Sequence, residues 1–244
     1  MKLAITAEVR IDDVVSRASP TTTLRADLTK DLAGVASVST IDKVVLVDNA
    51  NNERDSACIS TDEWSGQSIT DGYQYSCTKE ISVTENYNIA KIRLYAGTKL
   101  YFEYTLSTQY QVKTGAKVIL TITIKCTFTW THGGSVSATG VERLDALANA
   151  ILQRIIKGTY VGATWQRVWT MKDYMNVIDV PVTVSYDEVN YKVIVQGTLT
   201  PDTDYDINMY AYHSDDFGYT PHINISNITL GANQTHSWKL EIQL

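Results

Sequence analysis

Leu24-Arg25-Ala26-Asp27-Leu28-Thr29-Lys30-Asp31-Leu32-Ala33-Gly34 and Ala148-Asn149-Ala150-Ile151-Leu152-Gln153-Arg154-Ile155-Ile156-Lys157-Gly158 are the two stretches that decide the reading. Placing Gly34 over Gly158, an offset of 124 positions, lays Leu24, Leu28 and Leu32 over Ala148, Leu152 and Ile156. Each set recurs every fourth residue, the spacing of one helix face, and each run stops at a glycine that can serve as a C-terminal cap. The second stretch reaches back to Leu144 and Leu147, with Thr139 and Glu142 at capping-box spacing ahead of it. A helix that occurs twice predicts a duplicated unit.

The match continues outward. Ile41, Lys43 and Val44 fall over Trp165, Arg167 and Val168; Ile89–Tyr95 corresponds to Tyr205–Tyr210, and Val112-Lys113-Thr114-Gly115-Ala116 to Ile228-Thr229-Leu230-Gly231-Ala232. Around these anchors the chain alternates apolar and polar residues, from Leu3, Ile5, Ala7, Val9 and Ile11 to Ile122, Ile124, Cys126 and Phe128. That period belongs to strands with one buried face. Ala96-Gly97-Thr98 is a tight hairpin turn. Asp48–Asp55 is a polar loop, and the stretch onward to Gln74 is irregular. The small, polar run 131–140 is the expected linker. The predicted fold is mainly β: two tandem antiparallel β-sandwich or jelly-roll-like modules, 1–132 and 139–244, each with one α-helix ahead of its strands.

Composition limits the function. With 21 Lys and Arg against 27 Asp and Glu, a net charge of -6 and no basic cluster, a nucleic-acid surface is excluded. No window approaches the roughly 18 apolar residues needed to span a bilayer, so no membrane insertion is expected, and the start alternates where an export signal would be continuously apolar. Fifteen Tyr against three Phe, with abundant Thr, lean towards sheet.

Candidate sites are few. Asp202, Asp204 and Asp206 alternate, but Ile207 and His213 stand where a calcium loop needs Gly and Glu, and Asp215 and Asp216 add only a loose oxygen set. His132, His213, His222 and His236 have no metal-ligand spacing, and no nucleophile or phosphate-loop motif occurs. No catalytic residue, cofactor or metal is therefore expected. Asn224, Asn227 and Asn233 each head a glycosylation sequon. Tyr210, Tyr212 and Tyr219 flank a polar loop and are the candidate contact surface. Cys58 and Cys77 are the candidate disulfide, with buried thiols as the alternative; Cys126 reads as core.

The helix Leu24–Gly34, the strand Ile41–Val47, the strand Ile89–Tyr95 and the closing turn and strand Lys113–Ile124 resemble β modules of viral appendages. These are the tail-fibre and baseplate proteins of tailed phages, and the turret proteins at the vertices of turreted icosahedral archaeal viruses. The resemblance implies a non-enzymatic virion protein in a vertex, turret or tail appendage. Its partners would be other virion proteins, further copies about a symmetry axis, and a host receptor or glycan. A cell-surface or secreted carbohydrate-binding module using the three tyrosines is the rival expectation. A hydrolase would need a converging acid pair or metal.

Overall fold

The computed structural model describes residues 1–130, 138–158, 165–173, 175–214 and 218–244. Before the expected linker come β1 (Lys2–Ile11), β2 (Val14–Ala18), α1 (Thr22–Leu32), β3 (Lys43–Asp48), β4 (Glu53–Cys58) and a 3-10 turn (Thr61–Glu63). Then follow β5 (Ser65–Ile69), β6 (Gly72–Ser82), β7 (Tyr87–Ala96), β8 (Lys99–Val112) and β9 (Lys117–Thr129). After it come β10 (Ala138–Glu142), α2 (Leu144–Lys157), β11 (Arg167–Lys172), β12 (Met175–Asp187), β13 (Lys192–Leu199), β14 (Tyr205–Ser214), β15 (Gly218–Leu230) and β16 (His236–Gln243). The mainly β expectation holds.

Period-two patterning sets the register. In β1 and β9 every second residue is buried, and the antiparallel pairing from Lys2↔Thr129 to Ile11↔Leu120 lays Ile5 beside Cys126, Ala7 beside Ile124 and Val9 beside Ile122. A one-residue slip would turn every one of these side chains to water. β6 joins the other side of β9 from Gly72↔Thr127 to Ser82↔Lys117. Gly72 is required there: a Cβ would sit 2.1 Å from the Cys126 carbonyl oxygen.

A twelve-stranded sheet runs through both halves of the chain in the order β10-β15-β14-β11-β12-β13-β16-β1-β9-β6-β5, with β2 also pairing β1. β1 lies between β9 and β16, antiparallel to the first and parallel to the second, so the order β5-β6-β9 on one side mirrors β12-β13-β16 on the other. A second sheet has the order β4-β3-β7-β8. The same succession of hairpin, crossover and hairpin recurs as β12-β11-β14-β15 within the large sheet. β12 serves two neighbours and bends between them: its residues up to Pro181 pair with β11, and from Val182 onward they pair with β13. Proline, lacking an N–H, fits the point where one ladder ends.

The helices cross between the halves. α2 packs chiefly on β6 and β9, strands of the first half, and also on β5 and on β15 of its own half, while α1 packs on β8 of its own half and on β12 and β13 of the second. On α2 the predicted face is the buried one, with Leu147, Ala148, Ile151, Leu152, Ile155 and Ile156 fully covered. Side chains bind across these contacts. Tyr75 Oη donates to Asn149 Oδ1 at 2.9 Å, Lys30 pairs with Glu188 at 2.7 Å, and the Arg25 guanidinium lies 4.4 Å from the Tyr191 ring centre. Between the helices, Arg154 and Asp31 form an ion pair with side chains 1% and 0% exposed. Asp31 Oδ1 also accepts the Val38 N–H at 3.2 Å. One hydrophobic cluster extends from Leu3 to Leu244. The halves thus share a sheet and a core where side-by-side modules were expected.

Three local expectations change. A strand precedes the second helix as well as the first: β1, the expected strand, and β2 come before α1, and β10 comes before α2. Thr139 and Glu142 lie in β10, paired to β15, so they cap nothing; Arg143, left-handed at φ 60, turns the chain into α2. Residues 131–137 of the linker lie outside the described residues, and 138–140 are strand. Both expected C-terminal glycines are left-handed, Gly34 at φ 75 just past α1 and Gly158 at φ 60, and at the start of α1 the Thr21 Oγ1 accepts the Leu24 N–H at 3.4 Å.

Candidate functional site

The predicted tyrosines do not form one surface. β14 pairs with β11 and β15 on its two sides, which lays Tyr212 opposite Val168 and leaves it 1% exposed. Tyr212 is therefore core, and it meets the half-buried Tyr210 edge-on at 6.1 Å between ring centres. The Tyr219 side chain, with Asp215 and Asp216, lies outside the described residues. The cysteines are corrected too: all three are free. Cys58 is exposed at the end of β4, whereas Cys77 faces the core from β6, in the other sheet. Burial pushes the Cys77 thiol up to about 12, and burial likewise raises Cys126, which is core as expected.

The sequons run from the middle of β15 into the turn that follows it. Asn227 and Asn233 are exposed, and Asn224 donates to Glu142 Oε1 at 2.7 Å. Asp204 and Asp206 hold the adjoining turn: Asp204 Oδ1 accepts the Ala232 N–H, and Asp206 Oδ1 accepts from Thr229, at 2.8 and 2.7 Å. Among the described residues no three His, Cys, Asp or Glu converge as metal ligands. His222 is buried, and burial with the Arg143 charge lowers its pKa.

A concave polar site does form elsewhere, at one end of the β4-β3-β7-β8 sheet. It is a cleft of about 400 Å³ where the β3–β4 turn meets the start of β7 and the end of β8. Pairing of β3 with β7, and of Tyr87 with Val112 across β7 and β8, brings these three segments together. One wall is an ionic cluster. Asp48 Oδ2 accepts from Arg54 Nε at 2.7 Å, Asp48 Oδ1 accepts the Asn52 N–H at 2.8 Å, and Arg54 Nη1 reaches Glu85 at 2.7 Å. Burial works to raise the Asp48 carboxyl, but the bonds from Asn52 and Arg54 outweigh it and hold the group at about 2. The opposite wall is fixed by Tyr87, whose hydroxyl donates to Asp55 Oδ2 at 2.9 Å, and by Asn86, whose Oδ1 accepts the Thr114 N–H at 2.8 Å. Asp55 is buried and also receives the Thr84 hydroxyl at 2.7 Å. Asn49, Gln111 and Lys113 line the opening with exposed side chains that take part in none of these bonds.

Chemically this is a rigid frame with loose amides at its mouth. Sequence reasoning passed over these residues as a polar loop. Their only signal was the density of Asn around positions 49–52 and 86–88, which does not by itself say that the segments meet. The chain matches no family model, no curated protein and no solved structure.

Proposed function

We propose that this chain is a non-enzymatic structural component of a virus particle, in a vertex, turret or tail appendage. In this reading it is two tandem copies of one helix-bearing β-sandwich unit, built to pack against neighbours and present loops. The observation that carries the duplication is a set of bonds in the first half that recur in the second. The Asp42 N–H reaches the Tyr95 carbonyl at 3.0 Å, as the Gln166 N–H reaches that of His213 at 2.9 Å. Gly115 N–H to Val83 O, at 2.9 Å, is matched by Asn233 N–H to Pro201 O at 2.7 Å. Thr114 N–H to Asn86 Oδ1 is matched by Ala232 N–H to Asp204 Oδ1, both 2.8 Å. A register shift between Ile89 and Lys91 in β7 recurs between Ile207 and Met209 in β14.

These pairs keep the offset of 124 as far as β3 and β11, but run at 118 from β7 and β14 onward, as Tyr95 over His213 and Gly115 over Asn233. The sequence comparison had placed Gly115 over Gly231, two positions away. In both copies the turn residue is left-handed, Gly115 at φ 82 and Asn233 at φ 58.

Why would such a unit serve assembly? Helices that reach across the halves and a sheet continuous through both make a pseudo-two-fold block, and a block of that symmetry offers paired surfaces to neighbours. The outward side chains of β1, β9 and β6, among them Thr6, Glu8, Thr121, Thr123 and Thr78, give that block one broad polar face. The rival carbohydrate-binding reading through Tyr210, Tyr212 and Tyr219 loses its central residue to the core. Mass spectrometry and cryo-electron microscopy of purified particles test the proposal. The chain is expected in stoichiometric, symmetry-related copies; its absence from particles and abundance in uninfected cells would overturn it.

A further inference from the structure

We infer that the cleft between the β3–β4 turn and the β7 and β8 ends binds a neutral, hydroxyl-rich ligand, a glycan. The site is independent of the tyrosines and of any role in a particle. Three features of the geometry point to this chemistry.

First, beside Lys113, the exposed groups at the opening are amides. Each Asn or Gln side chain offers two N–H donors and an acceptor oxygen, which suits sugar hydroxyls that donate and accept at once. Asn49 and Gln111 stand at the mouth of the cleft with these groups uncommitted.

Second, the charges in the wall are spent on one another. Arg54 is closed on by Asp48 and Glu85, at 2.6 and 2.7 Å. An anionic ligand would have to compete with two carboxylates for that guanidinium and would keep only Lys113. A neutral ligand needs no such exchange.

Third, the frame is already in place. Tyr87 is pinned through its hydroxyl and Asn86 through the Thr114 N–H, so binding would order few side chains and lose little entropy.

The second copy supplies an internal comparison. At the positions matching Asn86 and Asn88 it has Asp204 and Asp206, and Asp206 is engaged by Lys172 at 3.5 Å and by Thr229 at 2.7 Å. Carboxylates accept but do not donate, so at these positions the second copy lacks amide donors. One glycan per chain is expected, not two.

The experiment uses the whole chain on an array of neutral and acidic glycans, followed by calorimetry with the strongest neutral oligosaccharide. The expected result is saturable binding of a neutral glycan at one site per chain. The variant combining Asn49→Ala and Gln111→Ala should bind at least tenfold more weakly while its melting temperature stays within about 2 °C of the parent. Asp206→Asn, in the second copy, should leave affinity unchanged within twofold. No neutral glycan above background, retention only of sulfated or sialylated glycans in a Lys113-dependent manner, or undiminished binding by the double variant would each overturn the assignment.

Discussion

Replacing Arg154 with Met is the sharpest perturbation of the bridge between the helices. The change keeps most of the side chain's apolar length and removes the guanidinium, leaving the Asp31 carboxylate, fully enclosed, without the cation beside it. Removing one member of a buried pair costs about 3–5 kcal/mol, because the remaining charge keeps its desolvation penalty and loses its compensation. For a chain of this length about 2–4 °C of melting temperature accompanies each kcal/mol, so Arg154→Met should melt about 6–20 °C lower. Adding Asp31→Asn removes the stranded charge while keeping an acceptor for the Val38 N–H. The double variant should recover most of the loss, to within about 2 kcal/mol of the parent, since neutral replacement of a whole buried pair is well tolerated. Urea unfolding followed by tryptophan fluorescence measures all three. A loss below about 1 kcal/mol for Arg154→Met, or single effects that simply add in the double variant, would refute this account of the bridge.

Thiol labelling should separate the cysteines: one fast-reacting group in the native chain, Cys58, and all three only after unfolding, since Cys77 and Cys126 are buried with raised pKa values. Gly72→Ala should destabilise by more than about 2 kcal/mol in chemical denaturation, because its Cβ meets a backbone oxygen that cannot rotate away. Gly97→Ala, with nothing within 4 Å, should cost only about 1 kcal/mol for its left-handed backbone, φ +60. The Asp48 carboxyl, ordinarily at 3.8 and held at about 2 in the fold, contributes stability that is fully present above pH 3.8 and lost as pH falls from there towards 2. Acid titration of Asp48→Asn should show a shallower fall across that window.

How far the sequence leads depends on the kind of interaction. Strong periodicity was legible: the Leu24, Leu28, Leu32 face, the Ile151 to Ile156 face, and the alternation of β1 and β9 are all buried as read. So was the hairpin at Gly97. The stretch 53–74 was not, because Glu53–Cys58 exposes most of its residues and is made a strand by pairing to β3, not by its own pattern. The apolar face of α2 announces burial but not its partner; that it covers β6 and β9, far earlier in the chain, is a tertiary fact. The two-residue error between Gly231 and Asn233 has a similar origin. A shift by two keeps every strand residue on its face, so hydrophobic pattern cannot detect it. Tyr212 was misplaced because both faces of β14 are covered: Tyr212 packs into the main core, and Ala211 on the opposite face packs with Met171 and Met209. The polar cleft draws on three segments that only strand pairing brings together.

The helix exchange can be measured directly with a cysteine pair at Ser68, on β5, and Asp145, on α2, whose side chains approach to 3.4 Å. With Cys58 replaced by Ser, a short bismaleimide should join the two positions within a single chain in high yield. Linkage found only between chains, or none at all, would mean that α2 does not lie on the sheet of the first half and would contradict the crossed helix packing.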